Sequence, residues 1–145
     1  MSGINNILPH VVNKTFKEIS CEILFTVHTY DIDIAGHVNN IVYVKWIEQL
    51  RTKLFNKYFN LQDLLSNNLY PVVITTNINY KKYLKLFDKP VGTMSIEYCN
   101  HGIIELKSVI KRKKEIIALG RQMCVLLNLK TGRMDKEKIK SILKS

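Results

Sequence analysis

The segment Tyr30–Arg51 reads YDIDIAGHVNNIVYVKWIEQLR and joins a polar cluster to a long apolar run. The run over 40–59 contains no proline or glycine, and its apolar side chains recur at spacings of three or four, namely Ile41, Val44, Ile47, Leu50 and Leu54. This period predicts a helix over 40–59. Because Val42, Trp46 and Phe55 widen the apolar stripe, we expect the helix to be covered on most sides.

Alternation of apolar and polar residues on both sides of this helix predicts β-strands. Before the helix, residues 21–30 alternate, with Ile23, Phe25 and Val27 on one face. After Pro71 four strands follow, and turn-like breaks at Asp88-Lys89-Pro90, Asn100-His101-Gly102 and Lys111 to Lys114 separate them. In the first of these strands we expect one face to carry Val72, Ile74, Thr76, Ile78 and Tyr80.

Consecutive strands with short turns predict an antiparallel meander, and the long apolar helix has to lie against it. A sheet wrapped around one central helix buries both apolar faces, so the sequence predicts an α+β fold. Asp135 is placed to cap a short C-terminal helix that carries Ile139, Ile142 and Leu143. At 145 residues and 16.9 kDa, residues 1–145 are expected to form a single domain.

Composition limits the compartment and the class of protein. Hydrophobic residues make up 46% of the chain, which favours a packed globule over a disordered chain. Residues 1–20 lack the apolar core of a signal peptide, and no run approaches the roughly 20 apolar residues of a membrane span. Cys21, Cys99 and Cys124 are odd in number and widely spaced, which indicates free thiols rather than disulfides or a zinc site. We therefore expect a cytoplasmic protein with no membrane partner.

The formal net charge is +10, and basic residues are locally concentrated in two runs, Lys81-Lys82-Tyr83-Leu84-Lys85 and Lys111-Arg112-Lys113-Lys114. Such runs are either solvated turns or a basic rim that attracts polyanions, such as nucleotide phosphates or an acidic carrier protein. A nucleic-acid-binding module is a rival hypothesis, which predicts an affinity that falls steeply with salt. Since the chain has no helix-turn-helix and no aromatic-interleaved RNA motif, no nucleic-acid partner is expected.

The polar cluster before the helix contains the candidate catalytic residues. Asp33 lies close to the predicted helix N-terminus, whose unpaired backbone N–H groups can stabilise a developing negative charge. Asp31 competes for the role of base. It lies two residues before Asp33, so in an extended strand both carboxylates would face the same side, and two like charges there would raise the pKa of one of them. Capping of the helix or turn is the structural alternative for Asp33. His37 is a second candidate, as a proton carrier or as a structural hydrogen-bonding group.

These residues resemble the signature of the hotdog-fold thioesterases, both the acyl-CoA type related to 4-hydroxybenzoyl-CoA thioesterase and the acyl-carrier-protein type. The resemblance runs from about Cys21 to Arg133 and implies a hotdog fold, an antiparallel sheet wrapped around one long helix. It implies that Asp33 is the nucleophile or general base and that the Asn40 amide polarises the thioester carbonyl. It further implies that the substrate is contacted by Gly36, Val38, Asn39 and Tyr43.

Some features of the resemblance leave alternatives open. Plant-type carrier-protein thioesterases share Asp33, His37, Val38, Asn39 and Asn40 but have an Asn where this chain has Ala35. Some hotdog thioesterases carry their catalytic carboxylate on the helix, which makes Glu48 the second candidate base, with pairing to Arg51 as the structural alternative.

Tyr43 and Trp46 are expected in the core or in the wall of an acyl pocket. The resemblance implies acyl-CoA as substrate, or acyl-carrier protein, in a homodimer or homotetramer without a cofactor. A non-catalytic acyl-CoA-binding protein is the remaining alternative.

Other catalytic classes lack their motifs in this sequence. It contains no phosphate-binding P-loop, no Rossmann glycine pattern, no metal-ligand cluster and no nucleophile elbow. A Cys124–His101 nucleophile pair would require these two distant residues to meet in the fold.

Overall fold

The computed structural model of the protein describes residues 19–144. Its strands are β1 (Ser20–Leu24), β2 (Leu69–Tyr80), β3 (Val91–Asn100), β4 (Ile103–Arg112), β5 (Glu115–Asn128) and β6 (Arg133–Met134). Its helices are α1 (Asn40–Phe59), α2 (Leu61–Ser66) and α3 (Glu137–Lys144), and a 3-10 turn spans Thr29–Asp31. Within this range the six strands form one antiparallel sheet in the order β1-β3-β4-β5-β2, with β6 paired to β5. The predicted α+β architecture is confirmed.

Helix α1 occupies the predicted residues and packs on the inner face of the curled sheet. Its buried side chains include Tyr43, Trp46, Ile47, Leu50 and Leu54. The expectation that the helix is covered on most sides is wrong, since Ile41 is 63% and Val44 is 44% exposed. The buried stripe is rotated away from these two residues, and the helix is half open.

Two inward-facing glycines allow α1 to lie close to the sheet. A Cβ atom on Gly120 of β5 would lie 2.3 Å from Ser108 Oγ and 2.9 Å from Ile47 Cδ1. On Gly92 of β3 it would lie 2.5 Å from the Phe25 ring and 3.0 Å from Leu50 Cδ1. Both positions exclude a side chain because helix and sheet are in direct contact there.

The strand predicted over 21–30 is shorter than expected. The ladder of β1 ends at Leu24, and the Phe25 N–H then donates to the Pro90 carbonyl at 2.9 Å before the turn at Thr29–Asp31. The predicted inward face nevertheless persists, with Phe25 and Val27 buried. Local burial follows the sequence pattern even where strand pairing has ended.

A β-bulge corrects the predicted face of β2. The pairing of β2 with β5 shifts between Val73 and Thr75, so that Ile74 is an extra residue. Val72 pairs with Val125 and Thr76 with Gln122, which places these two β2 residues on opposite faces of the sheet. The expectation that Val72 and Ile74 share a face with Thr76, Ile78 and Tyr80 is therefore wrong.

The C-terminal helix forms as predicted at its start. The Asp135 carboxylate accepts a hydrogen bond from the Lys138 N–H at 2.8 Å, and Ile139 is buried. The side chains of Ile142 and Leu143 lie outside the part of the chain that is described, as does nearly all of the segment 1–20. No helix within residues 19–144 is long and apolar enough to span a membrane.

The three cysteines are free thiols in the fold. Cys21 and Cys124 are buried and Cys99 is half-buried. Burial raises the pKa of all three thiols, to about 11 for Cys124. A thiol that stays protonated is a poor nucleophile, so these residues act as small apolar side chains.

Candidate active site

The entrance of α1 is built by the two asparagines of the polar cluster. Asn39 is the N-cap, and its Oδ1 accepts a hydrogen bond from the Ile41 N–H at 3.1 Å. Asn39 is itself fixed, because its N–H donates to the Asp31 carbonyl at 2.8 Å. The Asn40 N–H has no acceptor among residues 19–144. One donor of the helix terminus is therefore unsatisfied, as required of a group that binds an external oxygen.

Asp33 lies in a tight turn that precedes this entrance. Its Oδ1 accepts hydrogen bonds from the N–H groups of Ala35 at 2.9 Å and His37 at 3.4 Å. Gly36, at φ 80°, closes the turn by donating to the Asp33 carbonyl at 2.9 Å, and a left-handed backbone is suited to glycine. Among the described residues Oδ2 has no hydrogen-bond partner. Asp33 thus shapes the turn with one oxygen and leaves the other free.

Asp31 has a different environment from Asp33. It lies in the 3-10 turn and is buried, and its Oδ2 accepts a hydrogen bond from the His28 N–H at 2.8 Å. The expectation that both carboxylates face one side of an extended strand is wrong, because the turn at Thr29–Asp31 interrupts the strand. Asp31 closes this turn and anchors the helix cap through its carbonyl.

A cleft of about 310 Å³ opens at the helix entrance. It is lined by Asp33, His37, Val38, Asn40, Tyr43, Tyr80, Lys81, Lys82 and Tyr83. The structure therefore brings together five of the seven site residues predicted from the sequence. The other two, Gly36 and Asn39, support the cleft through the turn and the helix cap.

The residues that reasoning from sequence missed come from the end of β2. The Tyr80 hydroxyl donates to the Asn40 carbonyl at 3.2 Å, and the Tyr80 ring lies edge-on to Tyr43 at 5.2 Å between centroids. Burial raises the pKa of Tyr43 to about 12, partly offset by a backbone hydrogen bond at Leu84, and burial also raises the pKa of Tyr80. Both hydroxyls are thus neutral at physiological pH. In the sequence, the strand pattern that includes Tyr80 and the neighbouring lysine run were the signals for this segment, and neither indicated a site residue.

His37 reaches the cleft as part of an aromatic stack. Its ring lies 3.8 Å from that of Tyr83 between centroids, with the planes 14° apart. The His37 carbonyl accepts from the Asp33 N–H at 2.8 Å, so its backbone holds the Asp33 turn. His37 therefore lies beside the turn that contains Asp33, and its side chain is half-buried.

The loop 81–90, between β2 and β3, covers this side of the cleft. Arg112 binds Asp88 at 2.9 Å and Glu115 at 3.3 Å, and Lys82 binds Glu115 at 2.6 Å. The buried Leu84 connects the loop to the polar cluster, because its carbonyl accepts from the Val38 N–H at 2.8 Å. Ion pairs on the β4–β5 hairpin therefore hold the loop that carries Tyr83.

Glu48 lies away from the cleft that contains Asp33. Its carboxylate pairs with Arg51, which is buried and also donates to Gln122 Oε1 at 3.0 Å. Gln122 in turn donates to Thr76 Oγ1 at 3.0 Å. The predicted Glu48–Arg51 pairing is confirmed, and the Glu48 side chain is 59% exposed. Within residues 19–144 no group of three His, Cys, Asp or Glu side chains could hold a metal ion.

Comparison with known proteins places the chain in a family. Residues 27–143 match the model of the thioesterase-like superfamily. The chain belongs to that superfamily. It is 27% identical over 109 residues to the long-chain acyl-CoA thioesterase FadM of Escherichia coli (strain K12), covering 74% of this chain and 83% of FadM. Thioester hydrolysis is the activity that this family membership supports.

Solved structures give the same result for the fold. The crystal structure of YbaW, a probable thioesterase from Escherichia coli, superposes with a TM-score of 0.70 at 25% identity, covering 86% of this chain and 98% of YbaW. A thioesterase from Thermus thermophilus, complexed with coenzyme A and zinc, gives a TM-score of 0.73 at 21% identity, covering 86% of this chain and 97% of that protein. The predicted hotdog fold is confirmed.

Proposed function

We propose that this protein hydrolyses acyl-CoA thioesters to a free carboxylic acid and CoA. The observation that carries the proposal is the cleft at the N-terminus of α1, which is lined by both Asp33 and Asn40. Among residues 19–144, the Asp33 Oδ2 and the Asn40 N–H have no hydrogen-bond partner. The similarity to FadM, a long-chain acyl-CoA thioesterase, supports the choice of substrate.

Asp33 supplies the carboxylate in this proposal. Its Oδ1 is held by two backbone N–H groups, so Oδ2 is fixed in direction without a competing partner in the described chain. From there it either attacks the thioester carbon, so that CoA leaves as the thiolate and water then hydrolyses the acyl–Asp33 anhydride, or removes a proton from the water that attacks the carbon and expels CoA. His37, stacked on Tyr83, orients that water or the acyl carbonyl through a ring nitrogen.

The Asn40 N–H stabilises the negative charge that develops on the thioester oxygen. Asn40 is the first residue of the 20-residue helix α1, and the helix dipole adds positive potential at this end. A donor of this kind is typically worth about a hundred- to a thousandfold in rate. The hydrogen bond from Tyr80 to the Asn40 carbonyl holds this peptide in place. Lys81, on the rim of the cleft, attracts the phosphates of CoA.

We also propose that the working enzyme is at least a dimer joined through β2. Strand β2 pairs with β5 on one side only, and its 12 residues form an edge of the sheet within 19–144. Ile74 on this edge is 53% exposed, and Ile41 and Val44 are exposed on the open side of α1. A second copy would cover apolar side chains and pair the free edge.

A hydrolysis panel tests the proposal. The purified protein is incubated with acyl-CoA thioesters of increasing chain length and with acyl-carrier protein, and the released thiol is measured with and without EDTA. We expect release of CoA at the same rate in both conditions. Turnover confined to acyl-carrier protein, binding without turnover, or loss of turnover in EDTA would each contradict the proposal.

A further inference from the structure

Phe87, in a turn of the loop 81–90, is an exposed aromatic residue on a left-handed backbone. Its side chain is 86% exposed, and its backbone has a φ of 76°. Bulky residues rarely adopt this left-handed conformation, which favours glycine and asparagine. A large apolar ring in water on a strained backbone does not stabilise the isolated chain. The turn over 85–88, which the Asp88 N–H closes by donating to the Lys85 carbonyl at 3.1 Å, requires this conformation but does not require a phenylalanine. A bulky apolar residue kept there at a cost in strain points to a role in binding.

Around Phe87 the fold brings together the two lysine runs of the sequence. The contacts of Arg112 with Asp88 and with the Tyr83 carbonyl join the loop 81–90 to the β4–β5 turn. Six exposed lysines of the loop 81–90 and of the end of the β4–β5 hairpin form no ion pair with a described residue: Lys81, Lys85, Lys89, Lys111, Lys113 and Lys114. The acids of the same region, Asp88 and Glu115, are already paired with Arg112 and Lys82. Positive charge is therefore uncompensated on this surface.

We propose that Phe87 and these six lysines, together called the Phe87 surface, dock the protein on an anionic lipid membrane. Lysines near such a membrane are attracted to its headgroups, and an aromatic ring gains free energy at its interface. A lipid surface needs no complementary pocket, so one protruding ring is sufficient there. A folded protein partner would have to supply a pocket for it.

The Phe87 surface also borders the candidate cleft. Lys81 belongs to both, and Tyr83 lines the cleft on the same loop as Phe87. Docking therefore places the mouth of the cleft near the lipid, where long-chain amphiphiles partition. The expectation of no membrane partner rested on the lack of an apolar span, a criterion that does not concern peripheral binding. Lipid binding does not depend on the proposed function, so the test measures binding.

Co-sedimentation with vesicles tests this proposal. We expect binding to phosphatidylcholine vesicles that contain phosphatidylglycerol, no binding to phosphatidylcholine alone, and loss of binding at high salt. Phe87→Asn suits a left-handed backbone and should fold, yet it should weaken binding at least about fivefold. The double variant Lys85→Gln/Lys89→Gln should weaken it by on the order of tenfold or more.

The matched controls make the same kinds of substitution, one apolar residue to asparagine and two lysines to glutamine, near the other end of β5. Leu129→Asn removes an exposed apolar side chain there, and Lys130→Gln/Lys136→Gln removes two exposed lysines. Both should bind vesicles like the wild type. Equal binding to neutral vesicles, wild-type binding by Phe87→Asn, or equal loss in the controls would overturn the proposal. So would binding to an acidic protein or to RNA in the absence of vesicle binding.

Discussion

Asp31 and Asp33 lie two residues apart, but one short turn places their carboxylates in different environments. Asp31 is buried and its carboxylate accepts from the His28 N–H, whereas Asp33 is partly open and lines the cleft. The difference arises because the 3-10 turn at Thr29–Asp31 ends before Asp33. The spacing alone would have made the two residues equivalent. At this scale, hydrogen-bond partners decide which acid can meet a substrate.

His37 is expected to act through its ring nitrogens rather than through its stack on Tyr83. His37→Phe keeps an aromatic ring over Tyr83 and the backbone N–H but loses both ring nitrogens, and it should lower turnover about tenfold, the value of one lost hydrogen bond. The measurement is kcat for acyl-CoA hydrolysis. If His37→Phe is fully active and only His37→Ala is impaired, the ring is structural and this role is wrong.

Glu48 is expected to stabilise Arg51 and to take no part in turnover. Glu48→Gln should leave kcat within about threefold and lower the free energy of unfolding by about 0.5–1 kcal/mol, since the pair is half in solvent. Urea unfolding measures this loss, and Glu97→Gln, which breaks the surface pair with Lys107, is the control and should cost less. An inactive Glu48→Gln beside an active Asp33→Asn would move the catalytic carboxylate onto α1.

At the scale of elements, the loop 81–90 depends on a carboxylate whose pKa is displaced. Burial acts to raise the pKa of Asp88, but hydrogen bonds from the Lys85 N–H and from Arg112 outweigh it, and the pKa lies below its ordinary value of 3.8. Because the pKa of Asp88 is lower in the folded state, the ionised carboxylate stabilises the protein fully above pH 3.8. This stabilisation is lost as the pH falls through the folded-state pKa.

This displacement predicts how Asp88→Asn responds to pH. The variant should unfold at a lower temperature than the wild type at neutral pH, because it loses the charge that Arg112 binds. The difference in Tm should narrow as the pH is lowered through and below 3.8. Thermal unfolding followed by circular dichroism measures both proteins across this range. A difference that stays constant with pH would show that the Asp88 charge does not stabilise the loop.

Prediction from sequence succeeded where the signal was local. The bounds of α1 and the capping role of Asp135 follow from periodicity and short-range hydrogen bonding. It failed where distant residues decide the result. The bulge at Ile74 depends on pairing with β5, and the rotation of α1 that exposes Ile41 depends on the sheet.

The same limit applies to the candidate site. The polar cluster before α1 is contiguous in sequence, so Asp33, His37 and Asn40 could be selected together. Tyr80 reaches Asn40 only because β2 ends beside the helix entrance, 40 residues further along the chain. No spacing rule in a single sequence gives that contact. The resemblance supplied the roles of residues, and the structure supplied their neighbours.

At the scale of the whole molecule, the edge that β2 forms in the sheet of residues 19–144 predicts assembly. Light scattering of the active protein should give about twice or four times the chain mass of 16.9 kDa. Ile74→Lys places a charge on the edge and should shift the protein toward monomer and lower its activity. Ile116→Lys, an exposed isoleucine at the start of β5, is the control and should leave the mass unchanged. A monomeric, fully active wild type would contradict the proposed assembly.

The central claim is that Asp33 is the catalytic carboxylate of a thioesterase, and one rate constant tests it most directly. Asp33→Asn keeps the shape and one acceptor oxygen for the Ala35 N–H but removes the charge, so the fold should persist. We predict that kcat for acyl-CoA hydrolysis falls at least about a hundredfold, as expected on losing acid–base catalysis. Asp31→Asn, the matched control, should retain kcat within about threefold. A folded Asp33→Asn protein that releases CoA at the wild-type rate would contradict the claim.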